Sequence, residues 1–450
     1  MIQAPDNFLA GLARLDLEPE MRIEIAGYAR VFTWLQHLHA GVYPWINSIE
    51  DQGITVSDLD GGADLGQLTF TIQDRRGVIT GDFPSFVFEG KKIVLKTGFA
   101  GLDPADYLTL FTGKIDAVNS VDRGKSYAFV CSDAKADLSG LIFETGDDGF
   151  PIDSDHKRTI QGHPLDIVET VLIQERGYSE ADVNLAKLHD YRDTIYSGLF
   201  FSFVIDSAPE AKEFLESEIC KVLGFYIWTN NLGVIDFNFF YPRSTAVVMD
   251  IPERYMRETP DAMQSDLIDV VTFKFDVDDN SKFFSQSIQN YSPSISKYGQ
   301  VGAQTIESKG MRSAFAGFYL AAMTSRLLFF RYGSKNMRIE GLGLFWRMCL
   351  LEPGDFVTAS FETLPDRDAG TIGISKRKFE VLDPSRAFGS GVVELTLIDA
   401  AFLDRFGSFL ITEDSQADFT ASTTHEKNTL MYLSGGNDKY SDGSAGHVLA

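Results

Sequence analysis

The sequence predicts a mainly β protein with an α+β insertion: two related β-barrel domains joined through a helix/hairpin module. Two stretches, residues 20–140 and 245–402, carry period-two apolar alternation broken by Gly, Pro and Asp turn signals. Between them, residues 141–244 switch to the three-and-four spacing of helices and then to a hairpin. With 450 residues, 44% of them hydrophobic, the chain has enough apolar material for several cores.

Residues 1–20 read as an N-terminal arm with a short amphipathic piece, followed by MRIEIAG at Met21–Gly27 and the aromatic-rich connection VFTWLQHLHAGVYPWI. From Ile54 the runs GITVSDLD, QLTFTIQDRRG, VFEGKKIVLKTGF, YLTLFTGKIDAVNSV and KSYAFVCSDA alternate. Turns are expected at Gly61-Gly62, Gly77, Glu89-Gly90, Pro104 and Arg123-Gly124.

In the insertion, Pro164 occupies a first helical position and Gly177 a stop, with Leu165, Val168, Val171 and Leu172 along one face. A second helix is expected in SAPEAKEFLESEICKVLG, where Ser207 and Glu210 have capping-box spacing and Gly224 ends the run. FYIWT, NNLG and VIDFNFFY then form a hairpin.

The second barrel is expected to begin after a linker carrying Pro252 and Pro260, with DLIDVVTFKFDVDD and FFSQSIQNYSPSISKYGQ as its first strands. A helix at 311–332 interrupts it, and Met311, Phe315, Phe318, Ala322, Leu327 and Phe330 are spaced as a core-packing face. Met337–Ala400 closes the domain through FVTASF, KRKFEVL and VVELTLI, with turns expected at Pro353–Asp355 and Leu382–Ser385. The Gly/Ser/Asp-rich 403–450 reads as a flexible or partner-ordered tail.

Several of these segments together resemble the tail hub, or baseplate hub, proteins of tailed bacteriophages and phage-like gene transfer particles. The resemblance is carried by the long strand with Gly90-Lys91-Lys92, LFTGKI at Leu110–Ile115, GHPLDIVETVL, VLGFYIWTNNLGVIDFNFF, the PGD turn and the VVELTLID ending. It implies a homotrimeric ring that adapts a sixfold tail tube to a threefold fibre or spike and continues the DNA channel. The implied neighbours are a distal tail or tube protein above, a fibre, spike or tip protein below, and the tape measure protein, with DNA only in transit. The implied location is the virion tail tip, after assembly in the host cytoplasm. The alternatives are a tail-associated glycan- or cell-wall-degrading enzyme, a hexameric distal tail or tube component, and a carbohydrate-binding β protein.

Composition narrows these readings. With 40 basic and 64 acidic residues, a net charge of −24, the chain lacks the basic surface that general nucleic-acid binding needs. Along a DNA conduit the same charge would keep DNA off the wall; elsewhere it favours solubility. Cys131, Cys220 and Cys349 are odd in number and far apart, which argues against a disulfide framework and for a reducing compartment. Some hub relatives carry a four-cysteine iron–sulfur site, and three cysteines do not supply it. The N-terminus lacks a signal peptide's basic start and apolar core, and the longest apolar run, Phe315–Phe330, is broken by Thr324, Ser325 and Arg326, so no stable membrane insertion is expected.

No catalytic, cofactor-binding or metal-binding residues are expected, and no cofactor. G-x-S-x-G and H-E-x-x-H are absent; GSAG at Gly443–Gly446 has the wrong spacing, and Arg123–Ser126 imitates the end of a phosphate loop but has Asn119 where the first glycine must stand. His37 and His39 share a strand face without a third ligand to join them. The polar loop FETGDDGFPIDSDHKR has oxygens that calcium takes but no D-x-D-x-D-G spacing. Asp276, Asp278 and Asn280 fail the same template, because Ser287 stands where the loop needs Glu, and a β-turn is the better reading. Lys91, Lys92, Lys376, Arg377 and Lys378 fall on strands, as contacts for a partner's acidic ring or as solvated edge guards. Most of the 36 phenylalanines are expected in cores, any exposed ones at subunit interfaces.

Overall fold

A computed structural model describes residues 2–12, 19–34, 41–50, 56–57, 62–64, 66–241, 245–278, 282–299, 302–366, 370–388, 390–400, 409–410 and 430–431. The protein is β-rich, as predicted. The first sheet has eight strands in the order Val42–Tyr43, Val31–Thr33, Pro19–Ile25, Lys92–Phe99, Leu108–Val121, Ser126–Ser132, Gln67–Gln73 and Ile46–Ile49. Alternation works as expected: Leu68, Phe70 and Ile72 turn inward while Gln67 and Gln73 face water. The second sheet has six strands in the order Val247–Pro252, Phe356–Asp366, Thr371–Ala387, Val392–Asp399, Met337–Leu344 and Asp261–Gln264.

The two sheets repeat one plan. In each, a strand leads through a short helix, Val78–Asp82 or Phe345–Met348, into a three-strand meander, and the leading strand pairs with the last strand of that meander. In each, the middle strand is bent and shared. Residues 108–114 pair with the strand before and 114–121 with the strand after; likewise 371–380 and 379–387. A one-residue bulge marks the bend in both sheets, at Asp116 and at Leu382. Among the described residues neither sheet closes on itself, so the expected barrels stand as open, bent sheets. One apolar core, with Phe70, Phe129 and Ile93 from the first sheet and Val357, Val381 and Leu397 from the second, runs through both.

The middle body is built around a second core that joins Leu165, Phe214 and Phe237 to Phe273, Leu320 and Phe329. The helix from Pro164 forms as read: the His163 ring accepts from the Leu165 amide at 3.2 Å, and Gly177 follows with φ 72°. Phe225–Thr229 and Ile235–Phe239 form the expected hairpin. The second helix read from the sequence begins at Ala211, after a helix at Leu185–Asp193 that the sequence reading did not include, and it lacks the Ser207–Glu210 capping box, because Glu210 bridges to Leu141 in extended conformation and the Ala211 amide donates to the Gly140 carbonyl.

Three further expectations are corrected. Val270–Val277 and Phe283–Asn290 do not begin the second sheet; with Ala303–Glu307 they make a separate three-stranded sheet whose inner face joins the middle core. Leu382–Ser385 is no turn, since it lies inside Thr371–Ala387, where the bulge admits Pro384 to a strand. The long helix spans Ala314–Tyr332, capped by Ser313; Met311 and Leu327 are buried as expected, but Phe315, Phe318 and Ala322 of the same predicted core face are exposed. Gly317, Leu320, Ala321, Thr324 and Leu328 are buried instead. The reason is close packing: a Cβ on Gly317 would lie 2.1 Å from the Phe275 ring, and Thr324 donates to the Val222 carbonyl at 2.8 Å.

Candidate functional site

The residues with possible chemistry are occupied by structure. Cys131, Cys220 and Cys349 are free, buried thiols, and burial raises all three above the ordinary thiol range, Cys349 to about 12. In the polar loop, Asp148 accepts from the His156 ring at 2.6 Å and from the Phe150 amide, and Asp153 accepts from the Asp155 and His156 amides. The hydrogen bond to Asp148 raises the His156 pKa, and these hydrogen bonds hold both carboxylates below their usual range. The loop's acids thus shape its turns.

Arg123–Ser126 is the hairpin turn between Leu108–Val121 and Ser126–Ser132. Asp276 accepts from Ser285 Oγ, Asp278 accepts from the Lys282 amide, and Ser287 lies in a strand. His37, His39, Asn280, Gly443–Gly446 and most of 403–450 lie outside the described residues. Among the described residues no three His, Cys, Asp or Glu side chains are grouped to hold a metal.

The basic candidates divide. Lys91, Lys92 and Lys376 are exposed. Arg377 pairs with Asp399 and Asp366, and Lys378 donates to Thr245 at 2.8 Å, so these two are engaged within the chain. A cleft of about 310 Å³ is lined by Glu258, Asp261, Glu340, Asp383 and Glu394, and burial raises the Asp383 carboxyl to about 6, with Glu394 adding to the shift.

What sequence reasoning missed is an exposed apolar stripe. Phe315, Phe318 and Tyr319 on the long helix are 90%, 52% and 61% exposed. Ala322 is exposed on the same side, and Arg326 and Phe330, both half-buried, continue the line. Phe318 leans edge-on over Phe275, with centroids 5.0 Å apart, which anchors one flank of the stripe. Between Glu307 and Glu340 the chain has no acidic residue and six basic ones, in a protein of net charge −24. An uncharged aromatic strip ending in arginine is the composition of a contact surface. The legible clue was Gly317, a small residue mid-helix that marks the side where another backbone or ring comes close. Among the described residues no helix is long and apolar enough to cross a membrane.

No protein-family model matches the sequence, and no curated protein matches it. Among solved structures, the chain is similar to the 43 kDa tail protein of prophage MuSo2 from Shewanella oneidensis, at 11% identity and TM-score 0.48, covering 86% of this chain and 99% of that one. It is similar to a tail protein from Neisseria meningitidis MC58 at 12% identity and TM-score 0.48, covering 86% and 98%. A third likeness is to the prophage tail protein gp18 from Listeria monocytogenes EGD-e, at 11% identity and TM-score 0.45, covering 85% and 94%.

Proposed function

We propose that the chain is a structural tail hub protein of a phage or phage-like particle. In this reading its two open sheets are related units of tail-tube type, divided by a middle module, and three chains form a ring. The observation that carries the proposal is the duplication: the same antiparallel five-strand order, with the same bent middle strand and the same bulge, stands twice in one chain, while the sixth strand, Pro19–Ile25 or Val247–Pro252, pairs antiparallel in the first sheet and parallel in the second. A trimer of such chains offers six similar units to a sixfold tube on one side and threefold symmetry to a fibre, spike or tip on the other. The resemblance of the sequence segments to hub proteins supports the same reading. The acidic balance suits a channel wall that DNA passes without adhering, beside the tape measure protein. Its place is the tail tip of the virion, and its role is mechanical rather than catalytic.

Light scattering of the purified protein over a range of concentrations tests this. The expected particle has the mass of three 50.0 kDa chains, and averaged electron micrographs should show a ring with six similar lobes. A particle of six chains, or a monomer that never assembles with a tube component, overturns the trimeric hub. Release of reducing sugar from cell-wall glycan by the same preparation would replace it with the enzyme.

A further inference from the structure

The aromatic stripe needs an occupant, and its course points to one within the same chain. Phe315, Tyr319, Ala322, Arg326 and Phe330 follow at steps of four, three, four and four residues, one line along the helix. The line ends at Phe330, which packs against the small cluster of Phe356 and Ala400. Ala400 is fully buried there, and residues 401–408 follow it outside the described residues. Ala400, the last residue described before that segment, therefore stands beside the last turn of the helix that carries the stripe.

Length and composition agree. Phe315 lies about 22 Å along the axis from Phe330 at 1.5 Å per residue. Residues 401–410, if extended, reach roughly 33–36 Å. That first stretch holds Phe402, Leu403, Phe406, Phe409, Leu410 and Ile411, a density of apolar side chains that calls for burial. Phe409–Leu410 pairs in parallel with Leu430–Met431, which brings the segment's second apolar run beside its first. Asp404, Glu413 and Asp414 complement Arg326 and the acid-free stretch 308–339.

We propose that residues 401–433 of the chain dock in cis along the Phe315–Arg326 stripe and cover it. The inference does not depend on the hub reading, because the stripe and its occupant belong to one chain.

The test uses the full-length protein with a photoreactive benzoylphenylalanine at position 315, and a control with the same probe at Ile372, which is 80% exposed on the hairpin of Phe356–Asp366 and Thr371–Ala387. Irradiation followed by peptide mass mapping should join position 315 to a peptide within 401–433, at the mass of a single chain, and the control should not. Adding Phe318→Ser and Tyr319→Ser should cut that yield about tenfold, equivalent to roughly 1.4 kcal/mol of lost contact. Tyr319 is 61% exposed and outside the Phe318–Phe275 contact, so Tyr319→Ser alone, which leaves that contact intact, should lower the yield in the same direction. Cross-links confined to products of two chains, or a yield no greater than the control's, overturn the proposal.

Discussion

Lys114 and Glu380 occupy the same place in the two sheets, as do Asp133 and Asp399. The register defines this equivalence: Ile115 faces Cys131 and Val381 faces Leu397, each next to the bulge. In the first sheet Lys114 meets Asp137 at 2.7 Å on the open rim, while in the second Glu380 meets Arg331 of the long helix at 2.7 Å inside the protein. Asp133 is held by the Gly66 and Lys135 amides at 2.9 and 3.0 Å, whereas Asp399 receives the guanidinium of Arg377. The difference teaches how one unit serves two duties. The second sheet uses the shared position to fasten the middle body, through a helix whose Arg331 also sits 5.0 Å from the centre of the Phe240 ring. The first sheet leaves that position to solvent.

The largest effect should come from breaking this asymmetry. Glu380→Ala takes the carboxylate away from a buried guanidinium, and removing one partner of a buried pair costs about 3–5 kcal/mol. Lys114→Ala removes an exposed pair worth less than about 1 kcal/mol. Urea denaturation of both variants checks this, with the midpoint of Glu380→Ala falling several times further. Equal shifts would mean that the Arg331 contact does not clamp the second sheet to the helix.

Asp133 sharpens the comparison next. Burial, only partly offset by the Gly66 amide and Lys135, raises its carboxyl to about 6, against about 3.9 for an unfolded aspartate. Between about pH 4 and pH 6 the folded chain therefore holds more protons than the unfolded one, so this group adds stability as pH falls through that window and withdraws it as pH rises. At about 1.36 kcal/mol per pKa unit, the full swing is at most about 3 kcal/mol. Stability curves for wild type and Asp133→Asn at pH 4, 5, 6 and 7 should diverge by up to that amount, with the variant gaining relative to wild type towards pH 7. Parallel curves would show that Asp133 titrates normally and that the amides neutralise it fully.

Much of this was legible along the chain because its causes are local. The strands could be read because one face is buried, and the Pro164 helix because proline and glycine act where they stand. The middle hairpin could be read from NNLG, where the Asn230 side chain accepts from the Leu232 and Val234 amides and Gly233 takes φ 82°. What failed was decided at a distance. Val270–Val277 alternates like a barrel strand, but its partners are chosen across the fold. Ser207 and Glu210 have capping spacing, yet a bridge to Leu141 claims Glu210. The long helix is apolar on two sides, so spacing alone could not say which side meets Phe275. The candidate surface was hidden in the same way, as an apolar face taken for core.

The last contrast concerns how the two cores are filled. Phe70 faces Phe129 in the first sheet, their rings stacked at 4.9 Å; the equivalent pair in the second is Gly341 and Leu395. Gly341 is bare because the segment between the sheet's strands Val247–Pro252 and Asp261–Gln264 passes over it: a Cβ there would lie 2.6 Å from Met256 Cε and 2.7 Å from Pro260 Cβ. The methionine end can swing aside, but the proline ring cannot. Gly341→Ala should thus overpack the second sheet by about 1–3 kcal/mol, seen as a lowered denaturation midpoint. Adding Met256→Ala should recover only part of the loss, since Pro260 still blocks the methyl. A neutral Gly341→Ala would mean that the 256–260 segment yields freely, and that the second sheet, unlike the first, has no fixed filling at this position.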